Sequence, residues 1–318
     1  MHSREGHQHA GEGVRARNRR ALSTALAVTA VFAAVELTGG LFTGSLALVA
    51  DAGHMATDVL ALGLSLFAAW MAGRPSTPRK SYGYYRLEIL AALANGAALV
   101  AIAAWIAWEA IQRLASPQTV NAGPMILIAL AGLLANLLSG FVLSRQSEDN
   151  LNVHAAFLHV AGDAAGALGA MIAGAVILLA GWRQADPAVS LFIAGLILLS
   201  SWRVLRESVD VLLEGTPARI NLIELEQAMT AVQGVASVHD VHCWAVTSGF
   251  VAMSGHAELD GTANEHQVLD RLTEVLTSRF HIAHVTIQPE PTAHVTDCYE
   301  PPCEPTEARL KSAAGRKR

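Results

Sequence analysis

The chain has 318 residues, 52% of them hydrophobic and only 15% charged, with a formal net charge of −5. Soluble domains carry about 25% charged residues, and the shortfall here is concentrated in residues 21–202. That excludes a wholly soluble protein and indicates an integral membrane protein with a soluble appendage; no enzyme activity and no nucleic-acid partner are expected.

Residues 1–20 read as a polar cytoplasmic segment, with His2, His7 and His9 followed by Arg15, Arg17, Arg19 and Arg20. No short apolar core with a small cleavable site follows, so the segment is not read as a signal peptide. Residues 21–207 read as six transmembrane helices, since about 20 apolar residues suffice to cross a lipid bilayer. The spans are Ala21–Leu41, a second that follows Phe42-Thr43-Gly44 and runs to Gly73, Arg86–Leu114, Val120–Leu143, Asn152–Gly181 and Pro187–Leu205. Arginine and lysine set the orientation. Four arginines precede span one, and Arg74, Arg79, Lys80 and Arg86 flank the loop after span two. Arg145, Arg203 and Arg206 fall on the same side, whereas the opposite loops hold only Arg113 and Arg183. Both termini are therefore expected in the cytoplasm, with the protein in the inner or plasma membrane.

Ionisable side chains inside a span cost about 2.5–3.5 kcal/mol each at the bilayer centre, so they face a polar cavity, pair, or bind something. Span two carries Asp51, His54 and Asp58 on one helix face. Span five repeats the pattern with His159 and Asp163, again four apart. Counting about 1.5 Å per residue from the span ends, both His-x-x-x-Asp pairs fall in the middle third of the bilayer. His54 is expected beside Asp163, and Asp58 beside His159. Asp51 lies about two turns nearer the outside than Asp58 and reads as a helix-packing or exit-path residue. His154 falls on the opposite face and is left out. Gly53 and Gly63 in span two, and Gly162 and Gly166 in span five, are read as permitting close helix approach. Glu36, Asn95 and Asn136 are further buried polar candidates, the asparagines as interhelical hydrogen bonders.

Glu207–Pro217 reads as a linker, broken by Gly215 and Pro217. Residues 208–292 read as a cytoplasmic α+β domain of order αββαβ, two helices on one sheet face. Its elements are a helix over Ala218–Val232 begun by Thr216-Pro217, strands Val235–Val246 and Phe250–Leu259 about a Thr247-Ser248-Gly249 turn, a helix over Asn264–Phe280, and a strand over Ala283–Gln288. Residues 293–318, Pro-rich and then basic, read as a flexible tail.

Two neutral imidazoles and two carboxylates match the four-coordinate tetrahedral preference of zinc and cancel its charge at low dielectric. Manganese and magnesium favour more oxygen ligands, which tilts the choice to zinc, with cobalt or cadmium as lesser substrates. A structural zinc site is the bland alternative. No phosphate-binding Gly-x-x-x-x-Gly-Lys-Ser/Thr and no His-Glu-x-x-His is present, which leaves gradient-driven or passive transport. Because protons compete with metal for imidazole nitrogen, the ligands suggest proton exchange. In the soluble domain, His239, His242, Cys243, His256, His281, His284 and Glu290 supply donors for a second, regulatory site. Strand alternation assigns His239 and Cys243 to one face and His242 to the other; His242 and His281 read better as surface or packing residues. Cys298 and Cys303 could add soft ligands. Only three cysteines occur, all after the last span, so no disulfide framework is expected. Competing readings are a membrane-bound metal sensor that signals through its cytoplasmic domain, and a carrier of an organic cation.

These residues resemble the cation diffusion facilitator family, in its zinc-type branch. The resemblance rests on Ser45-Leu46-Ala47-Leu48-Val49-Ala50-Asp51-Ala52-Gly53-His54-Met55-Ala56-Thr57-Asp58, on Tyr82-Gly83-Tyr84-Tyr85-Arg86-Leu87-Glu88, and on the run from Asn150 to Asp163. In the soluble part it rests on His239-Asp240-Val241-His242-Cys243-Trp244 and His284-Val285-Thr286-Ile287-Gln288. It covers about residues 15–291. It implies a homodimeric exporter of cytosolic zinc in exchange for protons, Y-shaped, with metallochaperone-like cytoplasmic domains whose bound metal modulates transport. It implies His54, Asp58, His159 and Asp163 as the transport site, and His239, His256, His284 and Glu290 as the cytoplasmic site. Some relatives bind an ion in the loop after span two. Here Ala72–Arg86 has no histidine or acidic residue, so no ion is expected there. Gln288 stands where some relatives place a histidine, which argues against a two-metal cytoplasmic cluster.

Overall fold

A computed structural model describes residues 29–144 and 151–291. Side chains at positions 65, 69, 138–144 and 151–161 lie outside that description. The N-terminal histidines, Cys298 and Cys303 also lie outside the described residues. The chain divides into two compact units, one containing residues up to Phe67 with Ala91–Leu205, the other Ala68–Leu90 with everything from Arg206 onward.

The first unit is helical, built from α1 (Thr29–Thr43), most of α2 (Leu46–Ala72) and α3 (Arg86–Ala115), α4 (Ala122–Ser144), α5 (Leu151–Ala180) and most of α6 (Ala185–Leu212). Among the described residues, four helices are long and apolar enough to cross a membrane, and two shorter apolar ones are Thr29–Thr43 and Ala122–Leu137. Small side chains make up much of the interior: Ala47 and Ala50 of α2, Ala103 and Ala110 of α3, Ala129 of α4, Ala170 and Ala173 of α5, and Ala194 of α6 are all buried, packed with the larger Leu48, Ile106 and Met125. Leu60, Phe67, Trp105, Trp108, Leu178, Phe192 and Leu199 point outward. A lipid solvent offers no drive to bury large apolar groups, so small residues at the contacts let helices approach and the bulky ones meet lipid. Gly53 and Gly166 serve such approaches, since a Cβ on Gly53 would lie 3.1 Å from Ile102 of α3, and one on Gly166 2.9 Å from Asp51 Oδ1. Gly63 and Gly162, read as equivalent from spacing, face no described atom within 4 Å. Asn95 and Asn136 are half-buried and form no side-chain hydrogen bond to a described residue, contrary to expectation.

The expected linker does not begin at Glu207. Nothing from Glu207 to Leu212 breaks a helix, and α6 runs through it. It stops where Glu214 turns left-handed (φ 60°), with the Gly215 N–H donating to the Asp210 carbonyl at 2.8 Å and the Glu214 N–H to that of Val211 at 3.2 Å. That pair of bonds closes a helix C-terminus in the Schellman manner. Pro217 does not open the next helix either. Asn221 does, its side chain accepting the Ile223 N–H at 3.0 Å, so α7 is confined to Leu222–Thr230.

The rest of the second unit follows the expected order: β1 (Val235–Thr247), β2 (Phe250–Leu259), α8 (Glu265–Ser278) and β3 (His284–Pro291). The sheet order is β1-β2-β3, with β1 antiparallel and β3 parallel to β2. The parallel pair needs a crossover, which α8 supplies. Leu225 and Met229 of α7 and Val268, Leu272 and Leu276 of α8 share one hydrophobic cluster with Val238, Val241, Cys243, Met253 and Ala257. Both helices therefore cover the same sheet face, and the opposite face carries the polar residues.

Candidate metal centres

The first site lies where α2 meets α5. His54 Nε2 stands 3.5 Å from Asp163 Oδ1 and 3.9 Å from Asp58 Oδ2. One ligand atom from each of the three residues falls within 4.8 Å of the others. Metal–ligand bonds of about 2.0–2.1 Å at tetrahedral angles place neighbouring donors about 3.4 Å apart, close to these spacings. The expected juxtaposition of His54 with Asp163 is thus present. His159 sits on α5 one turn before Asp163, but its side chain is outside the described residues.

Near this triad, Asp51 of α2 and Glu36 of α1 are buried. Asp51 is held against Gly166 of α5, and Glu36 against Gly132 of α4, where a Cβ would come 2.6 Å from Glu36 Oε1. Asp51 is therefore at a helix contact and does not join the triad, as its depth in the sequence suggested.

The N-terminus of α2 is fixed by a residue that sequence reasoning missed. Asp186 of α6, wholly buried, accepts the Ser45 hydroxyl at 2.6 Å, the Leu46 N–H at 2.8 Å and the Ala47 N–H at 3.2 Å. Ser45 Oγ in turn accepts the Leu48 N–H at 3.3 Å. Three of the free N–H groups that open any helix are so satisfied, and a carboxylate there also complements the helix dipole. Arg113 of α3 donates to the Gly44 carbonyl at 2.8 Å, and the Asn121 N–H to that of Thr43 at 2.8 Å. The corner before α2 is thereby tied to α3, to α6 and to the residue that precedes α4, so the stretch that carries His54 and Asp58 starts from a fixed point. Asp186 precedes Pro187, the usual mark of a helix cap, which suggests a cap for its own helix rather than for α2.

The second site lies on the helix-free sheet face. His239 of β1 pairs with His256 of β2, their rings 5.1 Å apart. Glu290 of β3 reaches both: Oε1 lies 2.7 Å from His256 Nδ1, and Oε2 3.5 Å from His239 Nε2. These three offer ligand atoms within 4.8 Å of one another. The Gln288 amide donates to Glu290 Oε1 at 3.1 Å, which orients the carboxylate. Two imidazoles and a carboxylate form a donor set that suits zinc, with room for a fourth ligand.

Two expectations for this face need correction: the place of His284 in the cluster, and the strand faces of Cys243 and His242. His284 is not in the cluster: it pairs with Ala252, four residues along β2 from His256, or about 13 Å. It instead packs edge-on against Tyr82, ring centroids 5.8 Å apart. Cys243 does not share a face with His239. Between His239 and His242 the register slips by one residue, with Asp240 left-handed (φ 51°) and Asp240 and Val241 together opposing Gly255. This β-bulge restores His242 to the face of His239 and turns Cys243 into the core. Burial pushes the Cys243 thiol up to about 11, so it is protonated at neutral pH and unsuited to metal. His281, left-handed at φ 53°, lies before β3 and outside the cluster.

A bundle of apolar helices with an imidazole and two carboxylates converging inside it, joined to a small α+β domain with its own His/Glu cluster, defines a polytopic membrane protein built to handle a cation. Residues 22–213 match the family model of the cation efflux transmembrane domain, and residues 217–292 that of the cation efflux protein cytoplasmic domain. The chain belongs to the cation efflux family, the cation diffusion facilitators. It is 45% identical over 285 residues to the zinc transporter ZitB of Escherichia coli, covering 89% of this chain and 91% of that protein. It is 38% identical over 296 residues to the cadmium, cobalt and zinc/H(+)-K(+) antiporter of Bacillus subtilis, covering 92% and 94%. A solved metal-bound C-terminal domain of the CzcD transporter of Cupriavidus metallidurans is 43% identical and covers 22% of this chain and 99% of that one, at a TM-score of 0.22.

Proposed function

We propose that this protein exports zinc from the cytosol in exchange for protons, with the ion carried at His54, Asp58, His159 and Asp163. The observation that carries this reading is the approach of His54 on α2 to Asp163 on α5 at 3.5 Å. Two helices that share one ion can open to alternate sides while keeping it. Neutral imidazoles and carboxylates balance a divalent charge, and protonation of the same donors releases it. Cobalt and cadmium are the secondary substrates, in line with the substrates in the name of the Bacillus subtilis relative. Six spans, cytoplasmic termini in the inner membrane and a homodimer complete the proposal. The transport names of the relatives disfavour the sensor reading. In the reading proposed here, the cytoplasmic His239, His256 and Glu290 bind zinc to regulate transport, not to signal to a partner.

The test is zinc uptake into proteoliposomes under an imposed pH gradient. Wild type is expected to accumulate zinc when the lumen is acidic and to stop when the gradient is collapsed. Uptake that ignores the gradient refutes proton exchange, and uptake unaffected by chelators supports an organic-cation carrier instead.

A further inference from the structure

The helix-free sheet face carries more than the three-residue cluster. His242 Nε2 lies 3.1 Å from Asp240 Oδ1, and Asp240 Oδ2 lies 4.0 Å from His256 Nε2. His256 Nδ1 then meets Glu290 at 2.7 Å, and Glu290 meets His239 at 3.5 Å. The result is an unbroken line of alternating imidazole and carboxylate, His242–Asp240–His256–Glu290–His239. Side-chain exposure falls from 56% at His242 through 35% at Asp240 and 23% at His256 to 2% at Glu290, and His239 at the far end is 13% exposed.

The outer two members reach this face only through the bulge. Without the extra residue, strict alternation would turn His242 into the apolar core. The bulge holds Asp240, a non-glycine residue, at φ 51°, a left-handed conformation that costs free energy and is commonly retained where a side chain must be aimed. Gly255 is the residue opposite, where a Cβ would come 3.2 Å from Val241 Cγ2, so the bulge also constrains the partner strand.

We propose that Asp240 and His242 form an outer capture station for a divalent transition-metal ion, which they pass through His256 to the buried His239–His256–Glu290 site. The inference rests on the reading that those three residues hold a metal. One imidazole and one carboxylate, with water completing the shell, suit zinc or cobalt but bind more weakly and exchange faster than three preset protein donors. An ion held there lies beside His256 Nε2, while Nδ1 of the same ring faces Glu290, so transfer inward takes a turn of the His256 ring and no strand movement. A hydrogen bond that merely steadies the bulge would need neither the exposure gradient nor the approach of Asp240 to His256.

The test uses the full chain in lipid nanodiscs, with His54→Ala to silence the membrane site, and follows cobalt loading by its visible absorption in a stopped-flow mixer. Asp240→Asn and His242→Gln are expected to slow loading by about tenfold or more, of the order that outer-sphere partners contribute to metal sites, while equilibrium cobalt affinity stays within about threefold. Unchanged loading rates overturn the capture station. So does an affinity that falls as far as the rate, because the pair would then belong to the inner site or to its scaffold. The His256→Ala protein sets the baseline. If the parent protein, with Asp240 and His242 intact, binds no more cobalt than that baseline, the inner site itself is refuted and the station with it.

Discussion

The two candidate metal centres use similar donors but are assembled in different ways. In the membrane unit, each helix brings an imidazole and a carboxylate four residues apart, so the α-helix itself sets the spacing within a pair. In the sheet unit, His239, His256 and Glu290 come from three different strands, and the strand register aligns them. A helix-borne site depends on how the helices are held. A sheet-borne site depends on register, and a slip of one residue changes which side chains face it. The first arrangement suits a site that must open and close, the second one that stays preset.

Substitutions can test that contrast. Glu290→Ala removes the carboxylate that bridges both cytoplasmic imidazoles, and metal affinity at the sheet is expected to drop about 100-fold. The membrane site shares no residue with it, so zinc transport at saturating zinc should persist; cobalt titration and uptake assays on the same preparation separate the two. Asp186→Ala should destabilise the folded protein by about 2 kcal/mol, since it strips the cap from α2 and leaves buried N–H groups unpaired. Asp186→Asn, which keeps an acceptor, should recover part of that loss in thermal unfolding and part of the zinc affinity in transport. Gly166→Ala should cost about 1 kcal/mol, the low end for overpacking, because its methyl would meet Asp51 Oδ1 at 2.9 Å. Gly162→Ala, by contrast, faces no described atom within 4 Å and is expected to leave stability unchanged. Equal effects of the two glycine changes would contradict the asymmetry between them.

The same contrast explains what could be read from the sequence. The membrane triad was legible because helical period and span depth are properties of one chain segment, and two segments with matching depth identify each other. Asp51 was separated from His54 and Asp58 by depth alone. The clamp by Asp186 was not legible, since a carboxylate beside a proline looks like a local cap and its target lies 140 residues away in sequence. In the soluble domain, the order αββαβ followed from periodicity and turn residues. Its site was only partly legible. His239, His256 and Glu290 were named, but so was His284, because strand assignment gives faces without giving distance along the strand. Cys243 and His242 exchanged faces because no glycine marks the bulge at Asp240. The end of α6 was missed for a simpler reason: the polar composition of Glu207–Leu212 suggested a loop, while a helix that leaves an apolar environment needs no breaker to continue.

The central claim is that a single ion is shared between α2 and α5. Its most direct test is zinc uptake by proteoliposomes under a pH gradient, comparing wild type with Asp58→Ala and Asp163→Ala proteins whose cobalt binding at the sheet is intact. Uptake is expected to fall by more than about 100-fold in each, since each loses a charge-balancing donor from the buried ion. Wild-type uptake from either protein, with the cytoplasmic site still loaded, would contradict the shared ion.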